Sequence, residues 1–284
     1  SSIRGVPTFL NSNASPVVQF YLNDAPTGRG PEVSQSIFDI GQIEVLKGPQ
    51  GTLRGRAAPS GAITITTRRP DMDAVGGYAS FSASTYGNIV GQAAVGVPLI
   101  PGVLALRLAA SIDHNDGNAV SSANNRIKPY IRSEAYRATL RFEPSPDFNA
   151  SIMYQRLNRK TRSFTQVFGP GNGTNGPAIA PGDRLGITDQ PNTGTSKTDF
   201  LVGQFEWRFG GQKLSYVGSY RNGRSQVQAP LDTANVLPGI EYFQFTTTPG
   251  KEISPRSSKR AVRRWKPICR YWTWNAKRPA CGPN

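Results

Sequence analysis

Cysteine is missing from almost the whole of this 284-residue chain, and the two that occur, Cys269 and Cys281, fall near its end. The body therefore has no disulfide framework, and two cysteines twelve apart with no histidine nearby have poor zinc-ligand spacing. Histidine occurs once, as His114 in the polar stretch His114-Asn115-Asp116-Gly117; a loop histidine near one Asp is read as a surface residue, and no motif places a nucleophile beside it. The Gly169–Gly176 tract lacks the Lys-Ser/Thr step and the following helix of a phosphate loop. No catalytic residue, cofactor site or metal site is expected. Long apolar runs are also absent. Mean hydropathy is −0.41, and the uncharged run from Ala74 to Leu106 is broken by Gly76-Gly77, Pro98 and Pro101. It cannot form one spanning helix. Nor is there a basic and apolar leader before the first strand-like residues, so any signal peptide is expected to lie outside this sequence. We expect a processed chain or a fragment.

Glycine (30) and proline (23) are plentiful, charged residues make up only 18%, and aromatics 10%. This turn-rich composition points to a β protein. The formal charge of +15 is uneven. Nine Lys and Arg and no carboxylate fall in residues 255–284, together with Trp265, Trp272 and Trp274, which leaves +6 for the rest. Three readings of this basic tail are open. It could bind nucleic acid through phosphate pairing and base stacking. It could lie on a membrane surface, although its basic positions have no amphipathic period. Or it could follow a reading-frame change, which two cysteines after a cysteine-free body fit well; on that reading 255–284 is frame-shifted and unstructured.

Residues 74–222 repeat one pattern. Leu104, Leu106, Leu108 and Ala110 share one face and Ala105, Arg107, Ala109 and Ser111 the other. Tyr136, Ala138, Leu140 and Phe142 alternate with Arg137, Thr139, Arg141 and Glu143. The segments 148–155, 201–209 and 214–220 behave alike, giving seven strands and the start of an eighth. Short turns at 98–102, 144–147 and 210–212 alternate with long polar connections at roughly 114–134, 158–198 and 223–240. A soluble sandwich would share the alternation. Strands of about ten residues, aromatics near strand ends and strict short–long alternation of connections favour antiparallel transmembrane barrel strands. The first seventy residues differ: strands at 17–22, 43–46 and 62–67, with glycines at 48, 51, 55 and 61, describe a small α/β unit with its own core.

The run Asp39-Ile40, Ile43-Glu44-Val45-Leu46-Lys47-Gly48-Pro49-Gln50-Gly51-Thr52-Leu53, Gly55-Arg56, Ala58, Gly61-Ala62-Ile63, closing on Thr67-Arg68-Arg69-Pro70, resembles the plug signature of TonB-dependent outer-membrane receptors of the siderophore type. The preceding Val18–Pro26 segment resembles that family's strand and turn, with Asn23-Asp24 in place of Asp-Gly. The resemblance covers about residues 15–254. It implies the C-terminal half of a plug (1–70) followed by the first seven to eight strands of an incomplete barrel (71–254), from a parent whose wall has about 22 strands around the plug. It also implies a bacterial outer-membrane location, uptake of a ferric siderophore or similar scarce ligand, and energy delivered through the TonB–ExbB–ExbD complex, with no covalent chemistry. Lipid and lipopolysaccharide would surround the wall, and no nucleic acid is a partner.

The resemblance also carries departures. Lys47 stands where the family often has Arg, a point charge in place of a fork that would pair with wall carboxylates; Gln42 and Arg54 also differ. The TonB box and the first half of the plug are expected to lie outside this sequence. Lumen-facing residues such as Arg137, Arg141, Glu206 and Arg208 should give polar plug-to-wall contacts. Loop aromatics and cations suit an anionic ferric ligand: Tyr130, Arg132, Arg159, Lys160, Arg162, Phe164 and Phe168, with Arg29 at the plug's apex. A passive porin would explain the strands but not the signature; a nucleic-acid module would rest on the tail alone. An open eight-stranded wall leaves two unpaired edges, so the chain alone is expected not to transport. Resequencing the DNA through the codons for Thr248 to Arg256 tests the tail. Alternating strands continuing in another frame support the frame change, and their absence in every frame makes the tail genuine.

Overall fold

The structure, a computed structural model, describes residues 2–3, 6–7, 18–27, 30–48, 60–84, 87–116, 119–123, 127–165, 179–186, 188, 190–230 and 243–260. The N-terminal unit is built from β1 (Val18–Leu22), β2 (Ala25–Pro26), α1 (Gly30–Gln35), β3 (Ile40–Lys47) and β4 (Gly61–Thr67). Its sheet runs in the order β2-β1-β4-β3, with β4 parallel to β1 and antiparallel to β3. Central β4 buries Ala62, Thr64, Ile65 and Thr67. Edge strand β3 leaves Ile43 and Val45 half exposed.

Asn23 and Asp24 make the β1–β2 turn with φ of 48° and 61°. A two-residue hairpin of this kind needs left-handed backbone at both positions, which Asn and Asp tolerate best after glycine. Asn23 does more than turn the chain. The Thr67 N–H donates to its Oδ1 at 3.0 Å, and its Nδ2 donates to Thr67 Oγ1 at 3.0 Å, so the turn is tied to the end of β4.

The wall follows after a short linker. It comprises β5 (Gly76–Ala83), β6 (Ile89–Ile100), β7 (Leu104–Asn115), β8 (Tyr130–Ser145), β9 (Phe148–Ser163), β10 (Asn192–Phe209), β11 (Gln212–Pro230) and β12 (Phe243–Arg260). These strands pair antiparallel in chain order, and β5 and β12 do not meet, so the sheet is an open part of a barrel. Gly210 and Gly211, with φ of 52° and 73°, close the tight β10–β11 hairpin, where side chains would be strained. The two faces separate sharply: on β8, Tyr136 is 45% exposed and its neighbour Arg137 only 3%. Outward residues from Phe142, Phe148, Phe205 and Tyr216 form a continuous aromatic row across four strands, with ring centroids 6.3, 6.3 and 5.4 Å apart. At the other end Tyr136, Tyr154 and Tyr220 also face outward. Two aromatic belts bounding an apolar band are the pattern of a membrane-spanning sheet.

The structure corrects several sequence expectations. Strands β8 to β12 contain 16 to 19 residues rather than about ten. Alternating polarity stops where lipid stops, but backbone pairing continues into water, where both faces are polar and the period of two is hidden. The long connections shrink accordingly to 116–129, 164–191 and 231–242. His114 lies at the end of β7 rather than in a loop. The change of composition at Ser254-Pro255 falls inside β12, which runs on to Arg260 opposite Lys213; residues 261–284 lie outside the described residues.

Replacing Asn23 by Ala removes both bonds to Thr67 and keeps a left-handed φ, and should cost about 1–3 kcal/mol. Asn23→Gly should cost less, since it relieves the backbone. Urea midpoints in detergent measure both.

Candidate functional site

The N-terminal unit sits against the inner face of the wall, and three arginines on that face hold it. Arg107 of β7 grips Asp39 with two bonds, Nε to Oδ2 at 2.8 Å and Nη2 to Oδ1 at 2.5 Å, both partners being buried. This is the fork geometry that a guanidinium offers a carboxylate and an ammonium does not. Among the described residues, Arg137 of β8 has no carboxylate in contact. It donates to the Phe38 carbonyl at 2.6 Å, the Ser36 carbonyl at 2.9 Å and Gln155 Oε1, and its guanidinium lies 4.1 Å from the Phe38 ring centroid. Gln155 is held in turn by donating to Ser36 Oγ at 2.8 Å. Arg141 donates to the Pro70 carbonyl at 3.1 Å and pairs with Glu143.

Gln204 adds a further polar bond, donating to the Asn23 carbonyl at 2.6 Å, and apolar packing accompanies these polar contacts. Leu22, Ala25, Val33 and Ile65 of the inner unit pack with Met153, Phe200 and Val202 of the wall. Phe38 fills a socket of Ala94, Ala109, Ala135 and Leu157. Glu206 lines a cavity shared with Asn23, Asp24 and Arg69 of the inner unit and also pairs with Lys213 at 2.8 Å, whereas Arg208 is exposed at the tight-turn end.

On the side of the long connections a cavity of about 210 Å³ opens between α1 and the wall. Ser34, Gln35 and Ile37 close it from below, and Gln92, Asp113 and Arg159 from the wall. At that volume it holds part of a ligand rather than a whole drug-sized one. Of the residues expected to contact ligand, only Arg159 among the described residues enters this cavity. Tyr130, Arg132 and Arg162 are on strands, and they point to the opposite, outward face, where both guanidiniums stack on the Tyr130 ring at 5.2 and 4.7 Å. Counting parity from Tyr136 along β8 places Arg132 and Tyr130 outward, a signal the sequence held once the strand was known to continue. Phe164 is buried, 2% exposed. Arg29 and Phe168 lie outside the described residues.

Solved structures share this fold. The ferric yersiniabactin uptake receptor FyuA of Yersinia pestis superposes with a TM-score of 0.62 at 17% identity, over 88% of this chain and 38% of that one. The ferripyoverdine receptor of the Pseudomonas aeruginosa outer membrane gives 0.59 at 15%, over 84% and 32%. The ferric-catecholate import receptor Fiu of Escherichia coli K12 gives 0.58 at 17%, over 90% and 39%. The chain has the fold of a TonB-dependent outer-membrane receptor. Among curated proteins, the pesticin receptor of Yersinia pestis is 37% identical over 70 residues, 25% of this chain and 10% of that protein. The catecholate siderophore receptor Fiu of E. coli K12 is 32% identical over 84 residues, 25% and 11%. The chain thus spans about a tenth of the curated relatives within the matched regions, and under two-fifths of the solved receptors. No family model matches it.

Within this receptor fold the signature residues build the plug's β3 and β4. Asp39 opens β3 with φ of 50° and supplies the carboxylate to the wall. Ile43, Glu44, Leu46 and Lys47 lie along β3; Gly48 takes φ of 92° at its end, and Gly61 and Ile63 belong to β4. Pro49, Gly51, Leu53 and Gly55 lie outside the described residues. Lys47 is exposed and has no ion pair among the described residues, so the polarity of the strong contact is the reverse of that expected: the plug gives the carboxylate and the wall the guanidinium. Sequence reading marked Asp39 as part of the signature without a role, and missed Ser36, Phe38, Arg107 and Gln155 as contact residues.

Removing one partner leaves the other charge buried alone. Asp39→Asn and Arg107→Gln should each cost about 3–5 kcal/mol. The pair Asp39→Leu with Arg107→Met should cost clearly less than the sum of its singles, as a double-mutant cycle on denaturation midpoints would report.

Proposed function

We propose that this chain is the plug-and-wall portion of a bacterial outer-membrane receptor that takes up a ferric siderophore or similar scarce anionic chelate. The observation that carries this reading is a small sheet seated in the lumen of a membrane wall and held there by Arg107–Asp39 and Arg137. A passive pore has no use for an occupied lumen. The relatives named above, receptors for ferric yersiniabactin, ferripyoverdine and ferric catecholates, support the ligand class.

The division of work follows from the contacts. Transport requires the plug to move against the wall, and the polar bonds that hold it are concentrated on Ser36, Phe38 and Asp39, directly after α1. Ligand settling on α1 at the long-loop side would press on the segment that carries these bonds. Energy would come from TonB with ExbB and ExbD, acting on a plug region beyond this sequence. The chain's own work is binding and release, with no covalent step. Arg159, lining the cavity above the plug, supplies positive charge for an anionic chelate.

Isothermal titration of the purified chain with ferric catecholate and ferric hydroxamate probes tests the reading. Arg159→Gln should weaken binding of the preferred probe about tenfold, the size of one charge-assisted bond, with an unchanged unfolding midpoint. Failure of every ferric chelate to bind would overturn the ligand class.

A further inference from the structure

The cavity above α1 is not uniformly cationic. Two charges line it, Asp113 and Arg159, and they have opposite signs. Strand register fixes where they stand. Ser133 of β8 pairs with Asp113 of β7 on one side and with Arg159 of β9 on the other. The two charged residues are therefore two strand spacings apart, about 10 Å between backbones. An ion pair needs contact within about 4 Å, and neither residue forms one among the described residues. Asp113 accepts from Asn115 Nδ2 at 3.0 Å, which fills one of the roughly four acceptor positions of a carboxylate. With no carboxylate on its fork, Arg159 stays open to an incoming acceptor.

The other polar groups of the cavity are neutral. Gln35, Gln92 and Asn115 bring carboxamides, Ser34, Ser111 and Ser133 hydroxyls, and among the described residues no aromatic side chain lines it. Carboxamides and hydroxyls both donate and accept, which matches the amides of a linear hydroxamate or peptide-like frame. A flat catechol ring finds no ring to stack on. A second negative group placed beside Asp113 would be repelled at close quarters, whereas a cation there would be paired. The cavity thus discriminates by sign from one side to the other.

We propose that the chelate entering this cavity carries a cationic group on its organic frame, an ammonium or a guanidinium, which pairs with Asp113 while iron-bound oxygens turn to Arg159. The inference rests on the ferric-chelate reading above and narrows it from an anionic chelate in general to one with charges of both signs on opposite sides. Arg159 anchors any ferric chelate; Asp113 selects among them.

The test titrates the full chain in detergent micelles with a linear ferric trihydroxamate ending in an ammonium group, and with its N-acetylated form, which keeps the frame and loses the charge. The unaltered chain should prefer the ammonium form about tenfold, the size of one charge-assisted bond. Asp113→Asn keeps an acceptor for Asn115 and should bring the two probes within about twofold of each other. Asp199→Asn, on the outward face, should leave the preference intact, and Arg159→Gln should weaken both forms alike. A ferric tris-catecholate should bind the unaltered chain less well than the ammonium probe and gain severalfold in Asp113→Asn. Equal affinity of the unaltered chain for the two hydroxamates, or a preference that survives Asp113→Asn, would overturn the proposal. Chelates that bind without regard to the ammonium remove only the role of Asp113. If neither hydroxamates nor catecholates bind, the ferric-chelate reading falls with it.

Discussion

Two guanidiniums buried on the inner face of a sheet cannot be left without acceptors, and in this molecule the acceptors come from a separate unit. The wall supplies Arg107 and Arg137; the plug supplies the Asp39 carboxylate and the Ser36 and Phe38 carbonyls. Desolvating a guanidinium costs several kcal/mol unless its N–H groups are met. The wall is therefore incomplete, as a matter of solvation, until the plug is seated. The apolar cluster around Leu22, Ile65, Phe200 and Val202 adds area, but area is non-directional. Orientation comes from the fork on Asp39 and the carbonyls read by Arg137.

The same sheet faces two solvents, and its sequence records both. Outward residues are sorted by height: an aromatic row, an apolar band, a tyrosine belt, then cations. Inward residues are sorted by contact with the plug, which is why Arg137, Thr139 and Gln155 are buried while outward Ile152 and Leu201 are exposed. Burial and polarity are inverted relative to a water-soluble protein, as expected where lipid takes the place of water.

Much of this was readable from residues alone. Strict alternation over Leu104–Ile112 and Tyr136–Phe142 gave the wall strands and their faces, because lipid on one side enforces a period of two. The run from Asp39 to Pro70 gave the plug, because its glycines and short apolar strands recur in fixed order. The strand ends were hidden, since alternation fades at the belt while pairing goes on to Ser163 and Pro230. That is why Tyr130, Arg132 and Arg162 read as loop residues. The holding contacts were hidden for a different reason. Arg107 and Asp39 are 68 positions apart, Arg137 and Ser36 101, and no local pattern joins residues whose proximity depends on docking one unit inside another.

The socket around Phe38 bears on how such a molecule assembles. Its walls come from β6, β7, β8 and β9, one small residue from each of three strands and a leucine from the fourth. No strand contains the socket; it exists only when all four have paired in one alignment. A slip of two residues keeps every side chain on its proper face and leaves the strand ladder intact, but brings Arg107 or Arg137 to where Ala109 or Ala135 should stand. The aromatic ring then has no seat. Seating of the plug thus acts as an inspection of the wall, accepting one alignment among several that the backbone alone would tolerate.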